Sequence, residues 1–249
     1  MCRHLVYLGP PAPLSRLLTE PAHSLVHQSW APREMRGGAT INADGFGLGW
    51  YPGAGADPVR YRRETPMWSD TGLAGLAAAT VTGGVLAAVR SATAGMPVVA
   101  TAVAPFAEGP WLFSHNGVVA GWPSSVAKLA ERLPTTDLLT LEAPTDAALL
   151  WALVRDRLRA GVAMAEAVAA TVAEVAAVAP GSRLNLLLTD GSTAVASTLG
   201  HSLSVRGDGS SVLISSEALD DDRGWRPVPD RTLLTATRQG IDFTPLGDA

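Results

Sequence analysis

Residues 145–179 hold two consecutive helical patterns, and strand-and-turn sequence lies on both sides of them. Thr145 is placed to cap the first helix, which runs to about Arg159, and Met164 to Val178 forms the second. An alternating parallel-sheet chain would distribute its helices between its strands. Grouping them in the middle suits an α+β layered domain instead.

The flanking segments read as follows. Cys2 to Leu8 is a strand ended by Gly9-Pro10-Pro11, and Leu14 to Leu18 is a short helix. Gly45-Phe46-Gly47-Leu48-Gly49-Trp50-Tyr51 alternates glycine with large apolar residues, a period of two that predicts a strand with one backbone-crowded face. Val59 to Arg62 is its return strand. Ser69 or Asp70 caps a helix running to about Ala79. Gly84 to Ser91 is a buried strand, and Trp111 to Ala120 reads as strand, Asn-Gly turn, strand. Ser124 to Leu133 is a helix. After residue 180, short strands fall at Arg183 to Thr189, Ala194 to Ser197, Ser202 to Val205 and Ser211 to Ser215, separated by glycine turns. No internal repeat or long linker is visible, so we expect one domain over 1–249.

Hydrophobic residues make up 47 % of the chain and charged residues 17 %, enough for a packed core. The net charge of −4 argues against a nucleic-acid partner, which needs a basic face. Lys128 is the only lysine, so no phosphate-binding Walker loop can be built. The single cysteine forbids an internal disulfide. The first 30 residues lack a charged start followed by an apolar stretch. The apolar region Ala147 to Ala179 is interrupted by Arg155, Asp156, Arg157, Arg159, Glu166 and Glu174, too many charges to span a bilayer. The expectation is a soluble, cytoplasmic protein with no membrane partner.

Four segments carry chemistry together. Cys2 follows the initiator; if Met1 is removed, one residue holds a thiol and a free α-amine. The amine titrates near neutrality and can serve as general base to its own thiol. Arg90 ends a strand ahead of the small-residue loop Ser91-Ala92-Thr93-Ala94-Gly95, and its planar fork suits a carboxylate. In Ser114-His115-Asn116-Gly117, the Asn amide and the Gly backbone N–H can converge on one oxygen. Asp146 at a helix start can hold an ammonium. Each has a plainer reading: a chance cysteine, a structural arginine, a hairpin turn at Asn116-Gly117, and an acid complementing a helix dipole. Singly the plainer readings win; in this order and spacing they do not.

His23 and His27 have the spacing of a helical metal pair. Ser24 replaces the glutamate of the zinc-protease motif, and no residue just before them caps a helix, so they are expected in a loop or site wall. No metal and no cofactor is expected. Trp30, Trp50, Trp68, Trp111 and Trp122 could form an aromatic wall for a cationic leaving group, with core packing the default for each.

These segments resemble the class II glutamine amidotransferases, a branch of the N-terminal nucleophile hydrolases. The resemblance covers roughly the first 150 residues. Cys2 matches the family's processed nucleophile. Arg90 and Thr93 match its loop for the glutamate α-carboxylate, Asn116 and Gly117 its His-Asn-Gly oxyanion hole, and Asp146 its α-amine acceptor. His115 belongs to the same substrate-binding segment. His23-Ser24-Leu25, Gln28 and Asn42-Ala43-Asp44-Gly45-Phe46-Gly47 are similar to the short stand-alone members, among them the γ-glutamyl amidohydrolases of ergothioneine biosynthesis. The resemblance implies a four-layer αββα sandwich of two antiparallel sheets between helical layers. It also implies hydrolysis of a small γ-glutamyl amide through a Cys2 thioester, with γ-glutamyl-hercynylcysteine sulfoxide the expected substrate. Two alternatives stay open: a glutaminase subunit passing ammonia to a separate synthase, and a non-catalytic binding module that retains Met1.

Two positions depart from the family pattern. Ala88 stands where histidine is frequent, and Ala102-Val103-Ala104-Pro105-Phe106 where Asn-x-His-Pro-Phe is. Both line the site region in relatives, which implies an altered substrate pocket.

Overall fold

A computed structural model describes residues 2–34, 41–53 and 55–247. Met1, whose removal is expected above, lies outside the described residues.

In chain order the strands are β1 (Arg3–Pro13), β2 (Phe46–Trp50), β3 (Val59–Arg63), β4 (Val81–Val89), β5 (Phe106–Glu108), β6 (Trp111–Val118), β7 (Arg183–Thr189), β8 (Ala194–Thr198), β9 (Ser204–Gly207), β10 (Val212–Ser215), β11 (Arg226–Pro227), β12 (Thr232–Ala236) and β13 (Ile241–Pro245). The α-helices are α1 (Ser15–Leu18), α2 (Leu25–Trp30), α3 (Leu73–Ala79), α4 (Ala127–Ala130), α5 (Thr135–Leu139), α6 (Asp146–Arg159) and α7 (Met164–Val178). One sheet runs β11-β9-β10-β1-β4-β2-β3 and the other β13-β12-β8-β7-β6-β5. Their paired strands are antiparallel.

Period-two alternation sorts the side chains into layers. On β1, Leu5 packs with Leu17, Leu25, Leu73 and Ala77 from α1, α2 and α3. Its neighbours Val6 and Leu8 turn the other way, onto Leu112, Leu187 and Ala196 of the second sheet. Beyond that sheet, Phe113, Leu186 and Leu188 meet α6 and α7 through Trp151, Val154, Val168 and Val172. Three apolar interfaces therefore stack four layers, the expected αββα order. Each fully buried Val or Leu in these interfaces contributes about 1.5–3 kcal/mol over an exposed one.

The glycine alternation of β2 has the predicted crowded face. Phe46 and Leu48 enter the helix-side core. On the opposite face a Cβ at Gly47 would lie 2.1 Å from the Ala104 carbonyl oxygen. The second sheet's β5 approach is pressed against bare backbone there.

Several expected boundaries shift. β1 continues through Gly9-Pro10-Pro11, because a register break between Leu8 and Ala12 lets the two prolines sit where no ladder donor is required. The strand expected from Gly84 begins at Val81. The helix expected from Ser69 or Asp70 starts at Leu73; Asp70 instead accepts from Gly72 N–H at 2.8 Å and from the Tyr61 hydroxyl at 2.8 Å. The Ser124 to Leu133 helix is a short 3-10 turn (Ser124–Val126) followed by α4. Trp111 to Val118 is one continuous strand through Asn116-Gly117, with Asn116 opposite Asn185 and Gly117 opposite Leu184. His27 lies on a helix, and Ser24 caps it, its hydroxyl accepting from His27 N–H at 3.4 Å. The cap sits between the two histidines rather than before both.

Candidate active site

Cys2, Arg90, Thr93, His115, Gly117 and Asp146 line one open cleft at one end of the sandwich. Four elements deliver them. Cys2 stands immediately before β1. The loop after β4 brings Arg90 and Thr93. β6 brings His115 and Gly117, and the first turn of α6 brings Asp146. β5 covers β6 only from Trp111 to Phe113, so from Ser114 onward β6 pairs with β7 alone. The cleft lies along this uncovered stretch.

The Cys2 thiol donates to the Ser91 carbonyl at 3.7 Å. The Cys2 carbonyl accepts from the Arg3 guanidinium at 3.1 Å. Arg3 is buried and also donates to the Glu34 carbonyl. Burial lowers its pKa against the opposing pull of Glu217, Cys2 and Glu34. Glu217 in turn accepts from the Arg33 and Glu34 N–H groups at 2.9 and 2.8 Å.

Arg90 is held by its backbone N–H on the Gly45 carbonyl at 2.8 Å. Its guanidinium donates to the Pro97 carbonyl at 2.8 Å, using one of five donors. The loop that follows is pinned twice: Asp44 accepts from Ala92 N–H at 2.7 Å, and Met96 N–H donates to the Thr93 carbonyl at 2.9 Å.

Asp146 is buried at the first position of α6, next to the capping Thr145, whose hydroxyl accepts from Ala148 N–H at 3.2 Å. Its two oxygens accept from Val119 N–H at 3.0 Å and Ala147 N–H at 2.8 Å. A carboxylate has about four acceptor positions, so capacity for an ammonium remains.

His115 Nε2 meets the Arg183 carbonyl at 3.0 Å, which requires the proton on that nitrogen. A Cβ at Gly117 would lie 1.9 Å from the same carbonyl oxygen and 2.6 Å from His115 Nε2. Only glycine leaves room for this bond. Asn116 is not among the residues lining the cleft. It is buried in the layer between the sheets, and its amide donates to the Ser216 hydroxyl at 3.4 Å.

His4 and His201 are buried and are not among the residues lining the cleft. Burial pulls His4 down to about 3, helped by His115, His201 and Arg3. Burial also pulls His201 to about 3, helped first by Arg183, whose Nε donates to His201 Nε2 at 3.1 Å. Both imidazoles are neutral at pH 7. His4 Nδ1 pairs with the Ser114 hydroxyl at 3.2 Å.

The wall of the cleft includes Ala88, Met96, Ala102 and Ala104. The five tryptophans available for an aromatic wall are not among its lining residues. Arg60 and Arg62 brace this wall from outside, donating to the Pro105 and Val103 carbonyls at 3.2 Å each and both meeting Glu142. Sequence reasoning missed Ser216 and these braces. It also missed Arg3, and it read the Asn42-Ala43-Asp44-Gly45 segment only as a likeness, although that segment carries the Asp44 contact. Among the described residues, no group of three or more His, Cys, Asp or Glu could hold a metal ion, and no helix is long and apolar enough to cross a membrane.

The family model for class-II glutamine amidotransferases matches residues 17–207. The chain is 41 % identical over 246 residues to the gamma-glutamyl-hercynylcysteine sulfoxide hydrolase of Mycolicibacterium smegmatis, covering 99 % of this chain and 100 % of that protein. It is 39 % identical over 249 residues to the protein of the same name from Mycobacterium tuberculosis, covering 100 % of this chain and 98 % of that one. The glutamine phosphoribosylpyrophosphate amidotransferase of B. subtilis shares its fold, with a TM-score of 0.70 at 15 % identity over 99 % of this chain and 49 % of that one. On the family match and these full-length identities, the chain belongs to the class II glutamine amidotransferases.

Proposed function

We propose that this protein is a γ-glutamyl amidohydrolase that cleaves γ-glutamyl-hercynylcysteine sulfoxide into glutamate and hercynylcysteine sulfoxide. The observation that carries the reading is the convergence of Cys2, Arg90, Thr93, Gly117 and Asp146 on one cleft. The names of the two relatives near 40 % identity supply the substrate.

In this reading Met1 is removed and the Cys2 α-amine takes the thiol proton. Arg90, with Thr93 beside it, grips the substrate α-carboxylate, and Asp146 takes its α-ammonium. These two contacts aim the γ-carbonyl at the thiolate. Sulfur attacks the carbonyl carbon, and the negative charge passes to its oxygen. Gly117 N–H and the second N–H of the Asn116 amide stabilise that oxygen; one such donor is worth about 10²–10³ in rate. The amine returns its proton to the leaving nitrogen, the C–N bond breaks, and a glutamyl thioester remains on Cys2. Water then cleaves the thioester. Small side chains stand in the cleft wall at Ala88, Ala102 and Ala104, which favours a leaving group larger than ammonia. A cytoplasmic location suits this chemistry, because a reducing compartment keeps a lone thiol free.

The test pairs an assay with intact mass. Turnover of γ-glutamyl-hercynylcysteine sulfoxide should exceed that of glutamine, and the active protein should lack Met1. Cys2→Ala should lose at least about 10³-fold in kcat with an unchanged Tm. An active protein that retains methionine, or an active Cys2→Ala, would sink the mechanism.

A further inference from the structure

Ser216 follows β10 and is fully buried. Its hydroxyl oxygen accepts from His4 N–H at 2.9 Å and from Asn116 Nδ2 at 3.4 Å, and it donates to the His4 carbonyl at 3.3 Å. A hydroxyl offers one donor and two acceptor positions, and all three are occupied. The Ser216 backbone N–H donates to the same His4 carbonyl at 2.9 Å, and its carbonyl accepts from the Ser202 hydroxyl at 2.9 Å. The side chain is therefore fixed from several directions.

β1 and β10 are neighbours in the first sheet, whereas Asn116 sits on β6 of the second. This one hydroxyl ties the backbone two residues after the nucleophile to the side chain of Asn116 across the gap between sheets. The Asn116 carboxamide carries two N–H groups, and Ser216 takes one. Rotating the amide would break the bond to Ser216 and leave a buried donor unpaired.

We propose that Ser216 is a positioning residue that holds the Asn116 amide in register with Cys2, so that its free N–H meets the charge developing in the transition state. The inference rests on the proposed role of Asn116.

A double-mutant cycle tests it. Ser216→Ala should lower kcat about 10-fold with KM changed less than two-fold, because the ground state does not need the aligned amide. In an Asn116→Ala background, Ser216→Ala should have no further effect on kcat. Ser216→Thr, which restores the hydroxyl, should recover most of the loss. Equal losses of kcat in the two backgrounds would overturn the positioning role, since a merely structural serine acts whatever stands at 116. Should the alanine variant not fold, Ser216→Cys keeps the volume with a weaker acceptor and runs the same cycle. Asn116→Ala with wild-type kcat would instead sink the oxyanion role of Asn116 itself.

Discussion

Asp44 accepts a hydrogen bond from the backbone N–H of Ala92 at 2.7 Å, joining the segment before β2 to the loop after β4. The two strands already pair, with Phe46 opposite Val89. Asp44 extends that pairing into the loop that presents Arg90 and Thr93. A charge-assisted bond of this kind is worth about 1.5–3 kcal/mol. Asp44→Ala should raise KM roughly 10-fold or more, with a smaller change in kcat. Steady-state kinetics check this, and an unchanged KM would show that the loop is set by its other contacts.

Gly117→Ala would place a methyl carbon 1.9 Å from the Arg183 carbonyl. Strands β6 and β7 would have to part, or His115 would lose its acceptor. We expect a loss of about 3 kcal/mol or more, read from the denaturant midpoint, together with impaired turnover. A variant as stable as the parent would mean that β7 shifts freely.

Asp146→Ala removes an acceptor facing the cleft and also releases Val119 N–H and Ala147 N–H. Its kcat/KM should fall roughly 10²-fold or more for substrates with a free α-amine, and far less for analogues lacking it. Equal losses on both would assign Asp146 to the α6 start alone.

His4 and His201 make stability depend on acid. Both sit near 3 in the folded chain and near the ordinary 6.5 when unfolded. Between these values the unfolded chain binds protons that the folded chain refuses. Stability is therefore fully present above pH 6.5 and drains as pH falls toward 3. The slope is up to about 1.4 kcal/mol per pH unit for each histidine. Urea unfolding at pH 7, 6 and 5 measures it, and His201→Asn should flatten the slope. An identical slope in the variant would remove His201 from this account.

The helical block was legible because caps and periodicity are local: Thr145 caps α6, and β2 shows its crowded face through alternate glycines. Asn116-Gly117 misled because the pair favours hairpin turns, whereas its glycine answers a carbonyl from a strand 66 residues later in the chain (183 − 117). Pro10 and Pro11 read as a strand end because a bulge leaves no trace in composition. β13 escaped notice because four of its five residues are exposed, so no apolar alternation marks it. The candidate site residues were legible one by one through their motifs. The contacts that hold them were not: Arg3 with Glu34, Asp44 with Ala92, and Ser216 with Asn116 join distant segments by single side chains.

The aim of the thiol is a question of parity. Val6 and Leu8 turn toward the second sheet, His4 pairs with Ser114 across the same gap, and Cys2 falls on the same count of two. Inserting or deleting one residue between Cys2 and Leu5 would turn the sulfur toward the helices, with every other atom of the cleft still in place. A two-residue change would restore its direction but displace it by about 7 Å along the strand. Spacing at this end of the chain is therefore constrained as tightly as the identity of any residue in the cleft.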